Sequence, residues 1–269
     1  MSSEVSRWLV AVVALALALP LLTGCAVNQG TALASDFEEH WGGTPDVAEV
    51  VVHGYNTLPF SGTATGTLVL REGTPPERVG ERAEALREYV AREGSVTGRI
   101  TADDITFTVA ADEGRTREVL ALWASLRSDA RVVDGDVGAA TLRGEHRWQA
   151  RVTVVDADGA LAVFDDLLGG GGRHRPPSDP MAVEVVTASG ARPGLSIRSE
   201  LDGRLPTEAL AAYEAVVAEL PVAGATLRDT GLSITVADPA DLDAALALAR
   251  EAAPGMDPAA LHVGAARVG

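Results

Sequence analysis

The sequence predicts an α+β protein of tandem βαβ and βαββαβ units, its helices packed on one side of mostly antiparallel sheets. Three observations carry that expectation. Short β-rich runs alternate with helical stretches whose apolar residues recur at 3.6-residue period. The join from strand to helix repeats with an Asp at its end, in Thr108-Val109-Ala110-Ala111-Asp112, Thr153-Val154-Val155-Asp156 and Thr235-Val236-Ala237-Asp238. A longer strand match sets Ile105 to Ala110 against Leu232 to Ala237, and the strand and helix of Leu68 to Arg92 correspond to Leu195 to Leu220.

In chain order, residues 26 to 45 are small and polar without a sustained period, and predict a tether. A β-rich run at Val47 to Val52 ends at Gly54 and Asn56, and a second strand follows at Gly62 to Arg71. Thr74-Pro75-Pro76-Glu77 predicts a helix start with Thr74 as N-cap, and Val79, Ala83, Leu86 and Val90 form its apolar stripe before Gly94. Strands are expected at Val96 to Ile100 and Ile105 to Ala110, the latter with Ile105, Phe107 and Val109 on one face. A helix from Asp112 buries Val119, Leu122, Trp123 and Leu126, and short strands at Arg131 to Val133 and Ala139 to Leu142 close the first half.

The second half repeats the plan. Strands are expected at Arg151 to Val155, Ala182 to Thr187, Leu195 to Ser199, Ala225 to Leu227, Leu232 to Val236 and Leu261 to Val268, and helices at Gly159 to Leu168, Pro206 to Leu220 and Ala240 to Ala252. Each recurring Asp is placed to accept from the unpaired N–H groups of a first helical turn. The domain reading is therefore 1–24 as an export signal, 25–45 as tether, 46–145 as a first α+β domain and 146–269 as a second.

The chain has 269 residues and a formal charge of -16, with 22 basic residues that are all Arg. That sign repels nucleic acid and anionic headgroups, so neither is an expected electrostatic partner. Aromatic residues make up 4% of the chain, which leaves a core of Val, Leu, Ile and Ala. Cys25 is the single cysteine, so no disulfide forms within the chain.

No catalytic or cofactor set is legible. His40, His53, His146, His174 and His262 are scattered, with no pair at i, i+4 to hold a metal. A histidine can act as a base wherever the fold brings it to an acid, which leaves His53 and His146 as candidates, but isolated histidines of this kind are expected to be structural or solvent-exposed. Asp156-Ala157-Asp158-Gly159 has the start of a calcium loop without its later ligands, and a helix cap accounts for Asp156. Gly169 to Gly172 with Arg173-His174-Arg175 could cradle an anion, but it follows a helix and runs into prolines, so a flexible surface loop is expected. Trp41, Tyr55, Phe60 and Trp148 stand in irregular stretches or near strand ends and are candidates for exposed binding anchors.

Residues 22 to 25 point to location. Arg7, the 15-residue apolar run Trp8 to Leu22 and then Thr23-Gly24-Cys25 follow the order of an export signal, and the run falls short of the roughly 18 residues of a membrane span. Leu22-Thr23-Gly24-Cys25 resembles the lipobox of bacterial lipoproteins. That resemblance implies lipidation at the Cys25 sulfur by a diacylglycerol, cleavage before it and usually a further acyl chain such as palmitate on the new amino terminus. More than one chain gives a stable anchor. The β-α-β-β-α-β order belongs to the ferredoxin-like class, and the repeated units look like the BON-type modules of bacterial envelope proteins. Together these imply an outward-facing, membrane-anchored lipoprotein with a non-catalytic binding or structural role, its partners the membrane through Cys25 and another envelope protein, glycan or small molecule. The alternative is an exported hydrolase whose site forms only in the fold.

Overall fold

The computed structural model describes residues 28–58, 61–142, 145–178, 181–199 and 205–266. Cys25 and the expected signal lie outside these residues.

Eleven strands form one sheet in chain order. They are β1 (Val47–Leu58), β2 (Ser61–Leu70), β3 (Val96–Ala102), β4 (Ile105–Val109), β5 (Val132–Leu142), β6 (Glu145–Val154), β7 (Met181–Thr187), β8 (Gly194–Ser199), β9 (Val222–Arg228), β10 (Gly231–Val236) and β11 (Leu261–Ala265). Six α-helices accompany them among the described residues: α1 (Gln29–Trp41), α2 (Pro76–Arg92), α3 (Glu113–Arg127), α4 (Ala157–Leu167), α5 (Thr207–Glu219) and α6 (Leu242–Ala252). Antiparallel hairpins alternate with parallel pairs, each parallel pair being joined through a helix. The tandem βαβ plan is therefore present. Within it each of α2 to α6 joins neighbouring strands, so the units lie side by side and no described strand is interleaved as in a ferredoxin-like unit.

One face of the sheet carries the apolar residues. Strand β3 buries Val96, Gly98, Ile100 and Ala102, and β8 buries Leu195, Ile197 and Ser199. Facing residues run across the register from Ile100 to Phe107, Val137, Ala150 and Val183. All six helices cover this face. The other face is polar, with Arg99 bound to Asp136 at 2.5 Å and Thr101 to Thr106 at 2.8 Å.

Each hairpin reverses strand direction while the strand order keeps advancing, so helices confined to one face require crossovers of alternating hand. Ala64 faces the helices and directs its N–H to Ser95 at the head of β3; Gly135, on the same face of β5, directs its N–H back to Asp104. For L-residues this makes β2–α2–β3 right-handed and β4–α3–β5 left-handed, the second against a roughly 98% preference. The physical reason is the single apolar face. A right-handed α3 would carry Val119, Leu122 and Leu126, all buried here, to the polar side of the sheet.

Two expectations about domain boundaries are corrected. The tether reading of 25–45 fails at α1, which buries Ala34, Phe37 and Trp41. Phe37 lies against Gly66, where a Cβ would come within 2.4 Å of the ring, and meets Tyr89 of α2 edge-on at 5.4 Å. Small polar residues hid this helix because its cap is supplied from elsewhere: the Gly30 N–H donates to Asn56 Oδ1 at 2.8 Å. The proposed division at residue 145 also fails, since β5 and β6 pair along their lengths and the core runs through them.

Local details follow the chemistry of the joins. Asp112, Asp156 and Asp238 each accept from a backbone N–H at the start of the following helical turn, at 2.7, 2.7 and 2.9 Å. Thr74 is not the N-cap of α2: its hydroxyl donates to Arg71 O at 2.6 Å, and paired prolines start the helix one residue later. The two short strands expected at 131–133 and 139–142 are one strand, β5, whose Gly135 and Gly138 interrupt the β-rich pattern without breaking the pairing.

Candidate functional site

The Gly169 to Arg175 segment, expected to be a flexible surface loop, does lie exposed at the surface except at His174, which is buried in an ionic cluster that pins the loop. His174 is 0% exposed, and Asp129 and Asp166 are also buried. Asp129 follows α3, Arg131 precedes β5, Asp166 lies in the last turn of α4 and His174 arrives on the loop. The Arg131 guanidinium donates to Asp129 Oδ2 at 2.6 Å and to Asp166 Oδ2 at 2.9 Å. Asp166 Oδ1 accepts the backbone N–H of Arg173 at 3.0 Å, and the Arg173 guanidinium stands 3.3 Å from Asp129.

His174 spans the cluster. Its Nε2 lies 3.0 Å from Asp129 Oδ2 and its Nδ1 2.8 Å from Ser125 Oγ on α3. With the imidazole neutral, Nε2–H donates to the carboxylate and Nδ1 accepts the hydroxyl proton, an assignment that follows from the partners. Burial pushes the His174 pKa below its ordinary value, opposed by the hydrogen bond to Asp129. The Arg131 hydrogen bond holds the Asp129 carboxyl far below the usual carboxylate range, against the effect of burial. Arg131 is raised by the same pairing.

The glycine run has a steric cause. Gly169 and Gly172 take φ of +88° and +74°, which side chains with a Cβ rarely adopt. At Gly170 a Cβ would stand 2.2 Å from Asp165 Oδ1, and at Gly171 2.1 Å from Asp166 Oδ1. Glycine thus lets the backbone close over two adjacent carboxylates. The sequence signal was available in Asp165-Asp166 just before the glycines, but the partners at 125, 129 and 131 are distant in the chain.

Chemically, the cluster admits two functional readings and one structural one. Donor atoms of Asp129, Asp166 and His174 lie within 4.8 Å of one another, a spacing open to a metal. The fit is poor, because Arg131 already donates to both carboxylates and its charge repels a cation. Ser125, His174 and Asp129 form a hydroxyl–imidazole–carboxylate relay, but the ring nitrogens are used in the opposite sense from serine hydrolases, where Nε2 meets the hydroxyl. The imidazole is also sealed from solvent. As a structural clasp, the cluster ties α3, β5 and α4 through the loop.

A second feature lies between α4 and α5, where the helix layer opens into a cleft of about 460 Å³. Leu161 and Leu210 line its sides, and Ile197 and Leu227 lie at its floor.

The remaining sequence candidates do not converge. Trp41 is buried and Trp148 half-buried, with the Arg115 guanidinium 5.2 Å above its ring. Tyr55 is exposed, and Phe60 lies outside the described residues. His40 lies tilted against Tyr89 with ring centroids 4.9 Å apart; His53 and His262 are exposed, and the His146 side chain lies outside the described residues. Asp156 serves as a helix cap. No helix among the described residues is long and apolar enough to cross a membrane. No protein-family model matches the chain, and no curated protein or solved structure was found to be similar to it.

Proposed function

We propose that the protein is an outward-facing lipoprotein, anchored at the cell membrane through Cys25, that acts as a non-catalytic binding module. The observation that carries this reading is Leu22-Thr23-Gly24-Cys25 behind an apolar run. Three residues separate Cys25 from the first residue of α1. An acylated Cys25 would therefore hold the domain close to the bilayer. The net charge of -16 keeps an anionic surface from drawing it further in. A polar sheet face that none of the described helices covers and a cleft on the opposite face supply places to bind.

Cys25→Ser removes the acceptor thiol. In cells fed a labelled fatty acid the parent should carry label and the variant none, with the variant unprocessed or released. Equal label in both would end the lipoprotein reading.

The hydroxyl, imidazole and carboxylate of Ser125, His174 and Asp129 are the observation behind a second reading, an exported hydrolase, although the ring nitrogens are reversed and the imidazole is buried. Treatment with a fluorophosphonate tests it: labelling lost in Ser125→Ala with the fold intact would support hydrolysis, whereas an unlabelled parent supports the clasp.

A further inference from the structure

The cleft between α4 and α5 has an unusual lining for its place in the fold. On α4, Asp158, Leu161 and Asp165 recur at helical spacing; on α5, Leu210 and Glu214 do the same from Pro206. These faces look across at one another over Ile197 of β8 and Leu227 of β9. Helix α5 packs along α6 on its other side, but the space toward α4 is left open. The walls and floor are apolar. Among the described residues, the charged side chains that line the cleft are all acidic.

From this geometry we infer that the cleft binds a small amphiphilic cation, seating its apolar body on Leu161, Leu210, Ile197 and Leu227 with its positive charge among Asp158, Asp165 and Glu214. The volume of about 460 Å³ lies within the range of small-molecule sites. Asp158 and Asp165 stand on α4 and Glu214 on α5, so acidic side chains border the cleft on both helices, and the apolar floor favours a ligand body that sheds water. A neutral apolar molecule would satisfy the floor and leave the acids without a counter-charge; an anion would meet repulsion from three of them. The inference deepens the binding-module reading and rests on it, but not on lipidation.

Two hydrophobic ions of nearly the same size and shape and opposite charge make the test, tetraphenylphosphonium and tetraphenylborate. Their binding is measured by calorimetry to the chain from Ala26 to Gly269, which carries every described element. The cation should bind at least roughly tenfold more tightly than the anion at low salt, with the difference shrinking as salt screens the rim. Asp158→Asn, Asp165→Asn and Glu214→Gln should each weaken the cation by roughly two- to fivefold, the range of exposed charge pairs. Leu210→Trp should fill the cleft and abolish binding, and Ala162→Phe on the facing helix does the same should the Trp variant fail to fold. Equal affinity for the two ions, or cation binding unchanged in a folded filled variant, would overturn the inference. Cys25-dependent fatty-acid labelling is independent of these outcomes, so losing the cleft leaves the anchor standing, and losing the label leaves the cleft to be judged by its own binding data.

Discussion

Burial lowers the His174 pKa, so the folded chain resists a proton that the unfolded chain accepts near the ordinary value of about 6.5. The contribution of His174 to stability is therefore complete above that pH and is lost as pH falls below it. Asp129 acts in the same direction further down, its contribution present above the unfolded value of about 3.9 and lost as pH falls toward its depressed folded value. The groups facing the imidazole are Ser125, Asp129, Asp166 and Arg131. The melting temperature should fall from pH 7 to pH 5, and His174→Gln, less stable throughout, should show a flatter profile over that interval. An unchanged slope in the variant would place the titration elsewhere. On the same scale, Gly171→Ala drives a Cβ into Asp166 Oδ1 and should destabilise by about 1–3 kcal/mol, measured by urea denaturation, through loss of a buried ionic contact.

Among elements, α1 is where local pattern and tertiary structure part. Asn28 stands at its N-cap but makes no side-chain cap hydrogen bond, and its first turn is closed by Asn56 of β1, with Gly30, Gly54 and Gly62 letting the helix and hairpin backbones touch. None of this is legible in residues 26 to 45 alone. By contrast, the Asp at three strand-to-helix joins was readable because the cap and its N–H are neighbours in the chain, and Phe107 and Ile234 were readable because alternation places them on the apolar face, where both are fully buried. The ionic clasp was not readable, since its members come together only after α3, β5 and α4 have been placed. Because α1 is packed, deleting residues 26–45 should lower the melting temperature by several degrees, and Phe37→Ala should cost about 3–5 kcal/mol. A deletion variant that melts with the parent would mean that α1 adds nothing to the core.

For the molecule as a whole, the main consequence of chain-order strands is that there is no seam at which to divide it. Val137 and Ala150 face the helices on either side of the β5–β6 hairpin, and both are buried. Cutting there would expose a strand edge on each half together with the apolar surface beside it, a template for wrong pairing. The two repeats thus depend on one another although each has its own helices. Phe107 in the first half and Ile234 in the second are equivalent strand positions, and truncating either to Ala should cost about 2–5 kcal/mol. Calorimetry should show each variant shifting the same single transition, because loss of packing in one half is transmitted through the shared sheet. Separation into two transitions, with Phe107→Ala lowering one and Ile234→Ala the other, would show that the hairpin joins two independently folding units.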